Sequence, residues 1–503
     1  MSAIEAAAAV RDFLLAHART EVWEQGQRLT QLGGERSGYS LSSDAGRLVC
    51  HFWSENANLV RRVVGLGPAG PERLRLHCLR MGQTRPSTLI LQGVGAGTDP
   101  VRMSRRTEFR QQLLAAAQRE WAGWRPEPLP ARSIMGGAAR HPVQCLLLRR
   151  RHELLLCAAA EEQESAEAAE STLAHALVWA SQLRSHWPAR VLKGVNLVLP
   201  KAALAVTQQR LAWLRRSPPT ACWELDRSSG ELNQVRLEEN AMVASELRRA
   251  QPVSDPAASS KATAALLAEV REHCPQAAAE WTAEGTARIS VYGLPVAWEA
   301  PATGASAWSF GCREERTPLT ADTRPLFENL LRQLASSRLP GGGHHQPLYT
   351  LQAEGWMEYL LRRDIRLLDA HLDPRWIYAQ VPVCGPGQRE VMDLLAVDRG
   401  GVLHVIELKG GEDMGFPLQA LDYWLRVRYH QQQGDFERLG YFPGVSISAQ
   451  PPRLWLVAPA LRWHPSTDLL GRWLSPEVPW LRLGVNEEWR HGLQIIFRKE
   501  AHH

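Results

Sequence analysis

Residues 390–411, EVMDLLAVDRGGVLHVIELKGG, decide how this chain reads. Two apolar runs flank Asp-Arg-Gly-Gly, a turn composition that predicts antiparallel strands joined by a tight connection. The first run is apolar enough to lie inside a sheet, where Asp393 is costly unless it meets a partner or a cation. In the second, the period of two puts Glu407 and Lys409 on one face and Ile406 and Leu408 on the other. With the turn at 398–401, Asp393 falls near Glu407, and two carboxylates converge where a hard cation can bind. Magnesium favours such oxygen ligands, one or two carboxylates completed by water and phosphate. An ion of this kind activates water and neutralises charge developing on phosphate oxygens. Lys409, a point charge beside it, is suited to orient the water or stabilise the transition state.

Working outward, the expected order is a helix (EGWMEYLLRRDIRLL, 354–368), a strand (WIYAQVPV, 376–383), the two strands above, a helix (PLQALDYWLRVRYHQQ, 417–432), then strands at 453–460 and 492–499. This is α-β-β-β-α-β with an added strand. Gln419 and Tyr423, four apart, share one face of the second helix. Glu358 lies on the first, where Glu354 competes for the same role. Glu412 and Asp413 are expected to be solvated loop residues.

The ordered set resembles the PD-(D/E)XK nuclease superfamily: Met392-Asp393, then Glu407-Leu408-Lys409 after 13 intervening residues. Met392 stands where the name has proline. The GWME segment at 355–358 is similar to the acidic motif of the first helix, and QALDY at 419–423 to the Q-x-x-x-Y motif of RecB-like members. The resemblance spans about 110 of the 503 residues. It implies a restriction-endonuclease-like core and hydrolysis of phosphodiester bonds, in DNA above all, supported by Mg²⁺ or Mn²⁺. It also implies a catalytic set of Glu358, Asp393, Glu407, Lys409, Gln419 and Tyr423, with metal ligands Asp393, Glu407 and the Leu408 carbonyl. Repair, recombination and phage defence are the settings it suggests. The alternative is a catalytically silent member that binds nucleic acid or acts as a scaffold, and a protein partner or homo-oligomer is compatible with either.

The rest of the chain is less explicit. At 503 residues, 45% apolar and 22% charged, it is expected to be a multidomain α/β (α+β) protein. The expected divisions are a β-rich domain at 1–130, an α/β domain at 131–335, a linker at 336–347 (SSRLPGGGHHQP) and the nuclease-like domain at 348–503. Strands are expected at 47–53, 58–66, 73–81 and 87–93, followed by a helix and a proline-containing linker near 126–130. No internal repeat is evident. No apolar stretch approaches the roughly 20 residues of a membrane span, and with no secretory signal pattern the expected location is the cytoplasm.

The eight cysteines lack metal-binding or disulfide spacing and read as reduced core thiols. The histidine pairs 344–345 and 502–503 do not read as metal sites. Only five lysines occur among 58 basic residues, which singles out Lys409. Positions 1–130 hold 17 basic and 12 acidic residues, against 17 and 19 in 348–503. Attraction to phosphate is therefore expected mainly from the amino-terminal part, where Arg73, Arg75 and His77 share one strand face. GVGAGT at 93–98 lacks the lysine and the setting of a phosphate loop.

Overall fold

The computed structural model describes residues 3–17, 19–24, 27–33, 37–44, 47–53, 58–67, 70, 73–79, 86–93, 100–128, 143–161, 166–235, 246–247, 260–281, 286–300, 308–312, 316–342, 346–384 and 391–500. The protein is mixed α/β with several sheets, divided into two compact units, each assembled from separate stretches of chain.

Helix α1 (Ala3–Ala16) is followed by β1 (Thr20–Glu24), β2 (Gln27–Leu32), β3 (Gly38–Asp44), β4 (Arg47–Trp53), β5 (Asn58–Leu66), β6 (Arg73–Leu79) and β7 (Ser87–Gly93). They form one antiparallel sheet in the order β2-β1-β7-β6-β5-β4-β3, with α1 against β4 and β5. Strict alternation in β6 buries Leu74, Leu76 and Cys78 and leaves Arg73, Arg75 and His77 exposed. Beyond Gly93, the GVGAGT segment lies outside the described residues.

The next stretch runs α2 (Pro100–Glu120), β8 (Arg125–Glu127), β9 (Val143–Arg150), β10 (Glu153–Ala160), α3 (Ala166–His186), β11 (Val191–Val198), α4 (Lys201–Ala212), β12 (Thr220–Asp226), β13 (Glu231–Val235) and β14 (Glu246–Leu247). Strands β8 to β13 lie in sequence order in one sheet: β8, β9 and β10 antiparallel, β10, β11 and β12 parallel, β13 antiparallel. The proline segment expected as a linker instead begins as edge strand β8; Arg149 and Arg190 both pair with Glu127 there.

Then follow α5 (Lys261–His273), a five-stranded antiparallel sheet of β15 (Ala277–Trp281), β16 (Ala287–Val291), β17 (Leu294–Glu299), β18 (Trp308–Phe310) and β19 (Thr317–Pro318), and helices α6 (Arg324–Ser337), α7 (Pro347–Thr350) and α8 (Ala353–Arg363). Within the expected linker, Arg338 is fully buried. Its guanidinium donates to the carbonyls of Val291 (2.9 Å), Tyr292 (2.8 Å), Leu348 (2.8 Å) and Leu351 (2.7 Å). These bonds tie residues 336–342 into the fold, because a buried charge persists only where donors and acceptors match.

The last stretch runs β20 (Leu372–Cys384), β21 (Val391–Asp398), β22 (Leu403–Leu408), α9 (Phe416–Gln432), α10 (Asp435–Arg438), β23 (Arg453–Pro459), α11 (Thr467–Gly471), β24 (Trp480–Val485) and β25 (Ile495–Glu500). The sheet order is β14-β20-β21-β22-β23-β24-β25. Strands β20, β21 and β22 are antiparallel, β22, β23 and β24 parallel, and β25 antiparallel. Strand β24, between Pro479 and the end of the chain, was not among the expected elements.

One unit comprises residues 1–98, 255–363 and 488–493; the other comprises 99–254, 364–487 and 494–503. The sequence boundaries at 130 and 335 do not coincide with these, because β14 joins the sheet of β20 and a continuous apolar core runs from β9 through α3, α4, α9 and α11 to β24. Among the described residues no helix is long and apolar enough to cross a membrane. Among the described residues six cysteines are buried: Cys50, Cys78, Cys145, Cys157, Cys222 and Cys274. Burial pushes thiols such as Cys78, Cys157 and Cys222 up to about 12, which keeps them neutral and unreactive.

Candidate active site

The β21–β22 connection sets the register. Asp398 Oδ1 accepts from the backbone N–H groups of Gly400 and Val402, both at 2.9 Å, and Asp398 and Val402 close the hairpin backbone to backbone at 3.0 Å. Gly401 has φ +79°, and a side chain there would collide with the Ser446 carbonyl oxygen, so glycine is required on two counts. From this turn Leu394 pairs with Ile406, and the next position along places Asp393 opposite Glu407.

The two side chains share a face, and the geometry of their pair follows from nearby hydrogen bonds. Lys409 N–H donates to Val457 O (2.9 Å) on β23, whereas Leu408 N–H donates to Asp393 Oδ2 (2.8 Å) on the β21 side. Backbone groups alternate sides, so those of Glu407 point to β23 and the Asp393–Glu407 pair is of the non-hydrogen-bonded type. Such pairs have the closer Cα spacing, about 4.5 Å. By the same alternation the Leu408 carbonyl faces the β21 side, toward Asp393. Glu407 is 3% exposed and Asp393 half-buried.

Lys409 lies one residue beyond β22 rather than within it. The antiparallel ladder stops there because Asp393 captures the Leu408 N–H with its side chain. Lys409 Nζ is 3.4 Å from Asp413 Oδ2 and 5.9 Å from the Phe416 ring centroid. Asp413 in turn accepts from Gly415 N–H (2.7 Å), fixing the turn into α9. Asp413 is, as expected, a loop residue, its side chain 38% exposed, and its spacing of four brings it to Lys409. On α9, Tyr423 is buried in the core and Gln419 is half-buried. His464, whose ring burial pushes down in pKa while Glu412 and Asp413 oppose the shift, flanks the same loop.

Glu358 lies in the other unit. It is buried on α8 and pairs with Arg362 one turn along (3.3 Å), while Glu354 is exposed. Arg362 makes its shorter contact, 2.7 Å, to Glu280, which also binds Arg288 (2.7 Å). Burial pushes the Glu280 carboxyl up, but those two guanidinium groups outweigh it and hold the carboxyl below its ordinary range. The histidines 344–345 and 502–503 lie outside the described residues.

Among the described residues no three His, Cys, Asp or Glu side chains gather into a metal cage. Asp393, Glu407 and the Leu408 carbonyl nevertheless fit a magnesium-type ion, since they offer hard oxygens from adjacent strands and such ions keep several waters. The cleft lined by Asp369, His371, Asp398, Arg399, His404 and Arg453, about 340 Å³, belongs to a different place. His404, the second residue of β22, by the period of two faces away from Glu407. No protein-family model matches the chain, and no curated protein matches it.

Proposed function

We propose that the protein is a metal-dependent nuclease with a restriction-endonuclease-like core in its last sheet, acting on phosphodiester bonds of DNA. The observation that carries this reading is the register that sets Asp393 opposite Glu407, with Leu408 N–H bonded to Asp393 and Lys409 next along the chain. In this reading Asp393, Glu407 and the Leu408 carbonyl hold Mg²⁺ or Mn²⁺. When bound, such an ion would supply water activation and charge neutralisation at phosphate. The Leu408 N–H, donating to Asp393 Oδ2 at 2.8 Å, aims that carboxylate.

Lys409 presents its ammonium to the phosphate or the attacking water, and Asp413 fixes its direction. Gln419, half-buried on α9, positions the substrate, backed by Tyr423 one turn along in the core. The exposed Arg73, Arg75 and His77 on β6 supply non-specific phosphate contacts.

The test is incubation of purified protein with supercoiled, linear and single-stranded DNA, and with RNA, in Mg²⁺, Mn²⁺ or EDTA, alongside Asp393→Ala and Lys409→Ala. Cleavage that needs the metal and falls at least about 100-fold in both variants, the scale of losing an electrostatic or acid–base group, supports the assignment. Binding without cleavage under every condition would select the silent nucleic-acid-binding alternative.

A further inference from the structure

Residues 125–235 and 372–500 carry the same fold plan. In each, three antiparallel strands lead through a helix to a parallel strand, through a second helix to another parallel strand, and back to an antiparallel edge strand. The pairings match position by position. Leu147 pairs with Leu156, Leu156 with Val195 and Val195 with Thr220; Leu395 pairs with Val405, Val405 with Leu454 and Leu454 with Trp480. Even an irregular bond recurs: Val195 N–H donates to Pro219 O (3.0 Å) and Leu454 N–H to Pro479 O (2.9 Å).

Counting from these anchors, the counterparts of Asp393, Glu407 and Lys409 are Cys145, Ala158 and Ala160. Cys145 and Ala158 are partners across the strands, as the register makes Asp393 and Glu407. All three are buried in the apolar core. A neutral thiol and two methyl groups offer no ligand to a hard cation.

The two copies also pack as an isologous pair, in which each half makes to the other the contact it receives. Helix α3 packs on α11 and α9 on α4. Arg215 N–H donates to Trp473 O and Ser475 N–H to Trp213 O, both at 2.8 Å, and Leu214 bridges Leu474 antiparallel between them. Trp213 meets Trp424 of α9 edge to face, while Trp473 Nε1 donates to Ser181 of α3 at 2.8 Å. Positions 213–215 and 473–475 are thus equivalent, and the Leu214–Leu474 bridge lies on the pseudo-twofold axis. The halves have diverged: Arg210 of α4 clamps Asp422, but its counterpart on α11 is the buried Leu470.

We infer that this chain is a fused dimer in which residues 125–235 form a chemically silent copy of the catalytic half, so that it nicks one strand of duplex DNA per encounter instead of breaking both. This rests on the nuclease reading of the Asp393–Glu407 centre. A twofold body suits the dyad of antiparallel strands, and the silent half supplies the second set of backbone contacts without a second cut.

The test is a time course on supercoiled plasmid with the full chain and Mg²⁺ or Mn²⁺, together with its mass by sedimentation. The expected result is a monomer, a nicking rate linear in protein, nicked circles as the first product and linear DNA only after a lag. Asp393→Asn abolishes nicking, whereas Cys145→Ser, its fold checked by circular dichroism, leaves the rate within about twofold. Linear DNA formed without a lag, an active species that is dimeric, or loss of nicking in folded Cys145→Ser would overturn the inference while leaving the nuclease reading in place. No cleavage by the wild type on any duplex would remove both.

Discussion

Replacing Asp422 with alanine takes away the carboxylate that clamps Arg210 between α4 and α9. The pair is bidentate, Nε to Oδ1 at 2.9 Å and Nη2 to Oδ2 at 2.6 Å, and its side chains are only 8% and 10% exposed. Solvent screening is therefore weak, and removing the carboxylate leaves the buried guanidinium without its counter-charge, at a cost of about 3–5 kcal/mol, while Nη1 keeps the Glu170 carbonyl at 3.5 Å. For a body of this size a melting temperature moves about 2–4 °C per kcal/mol, so the transition of that unit should fall on the order of 10 °C. Arg210→Met combined with Asp422→Leu removes both charges while keeping apolar volume, and should recover at least half of the loss, because desolvation offsets much of a buried pair's attraction. Calorimetry of the wild type, both single variants and the double variant closes the cycle. A single-variant loss below about 1 kcal/mol, or additive losses in the double variant, would show that the pair does not hold the two halves.

Arg338→Met leaves four buried carbonyl acceptors without their donor and should cost at least about 3 kcal/mol in urea titration, since each orphaned group costs about 1–3. Burial lowers the His404 pKa, with the Asp398 hydrogen bond opposing it. The unfolded chain therefore binds a proton first, and stability should decline as pH falls below about 6.5, with His404→Gln flattening that slope. Burial pushes the Asp398 carboxyl up, but hydrogen bonds from His404, Val402 and Gly400 outweigh it and hold the carboxyl low; its contribution is present above the usual carboxylate range and lost in stronger acid. Asp413→Asn should weaken cleavage about 3- to 10-fold with little change in thermal stability if it only directs Lys409, as measured by single-turnover rates.

How much was legible follows from which residues carry each feature. Gly400 and Gly401 fix a short turn, so counting back from it places Asp393 against Glu407 without further information. The alternation in β6 likewise gives its two faces directly. Arg338 was misread because an arginine followed by LPGGG has linker composition, and only its four carbonyl partners, remote in sequence, explain its burial. Strand β24 hid behind prolines that read as loop, although Pro479 delivers its carbonyl to Leu454. The internal duplication was invisible because it survives in strand order and pairing, not in residue type. Trp-Leu at 213–214 and 473–474, and proline at 219 and 479, are the residue identities it leaves at the shared turn. The acidic centre, the most conspicuous feature of one copy, is the one the other lacks.

The proposed nuclease chemistry requires Asp393 and Glu407 to form one hard-cation centre. The most direct measurement is Mn²⁺ binding to the full chain by titration calorimetry, paired with single-turnover cleavage of labelled duplex DNA, for wild type and Glu407→Gln. Mn²⁺ binding in the wild type should be lost in the neutral isostere, together with a fall in cleavage of at least about 100-fold. Unchanged Mn²⁺ affinity and unchanged cleavage in a folded Glu407→Gln variant would contradict it.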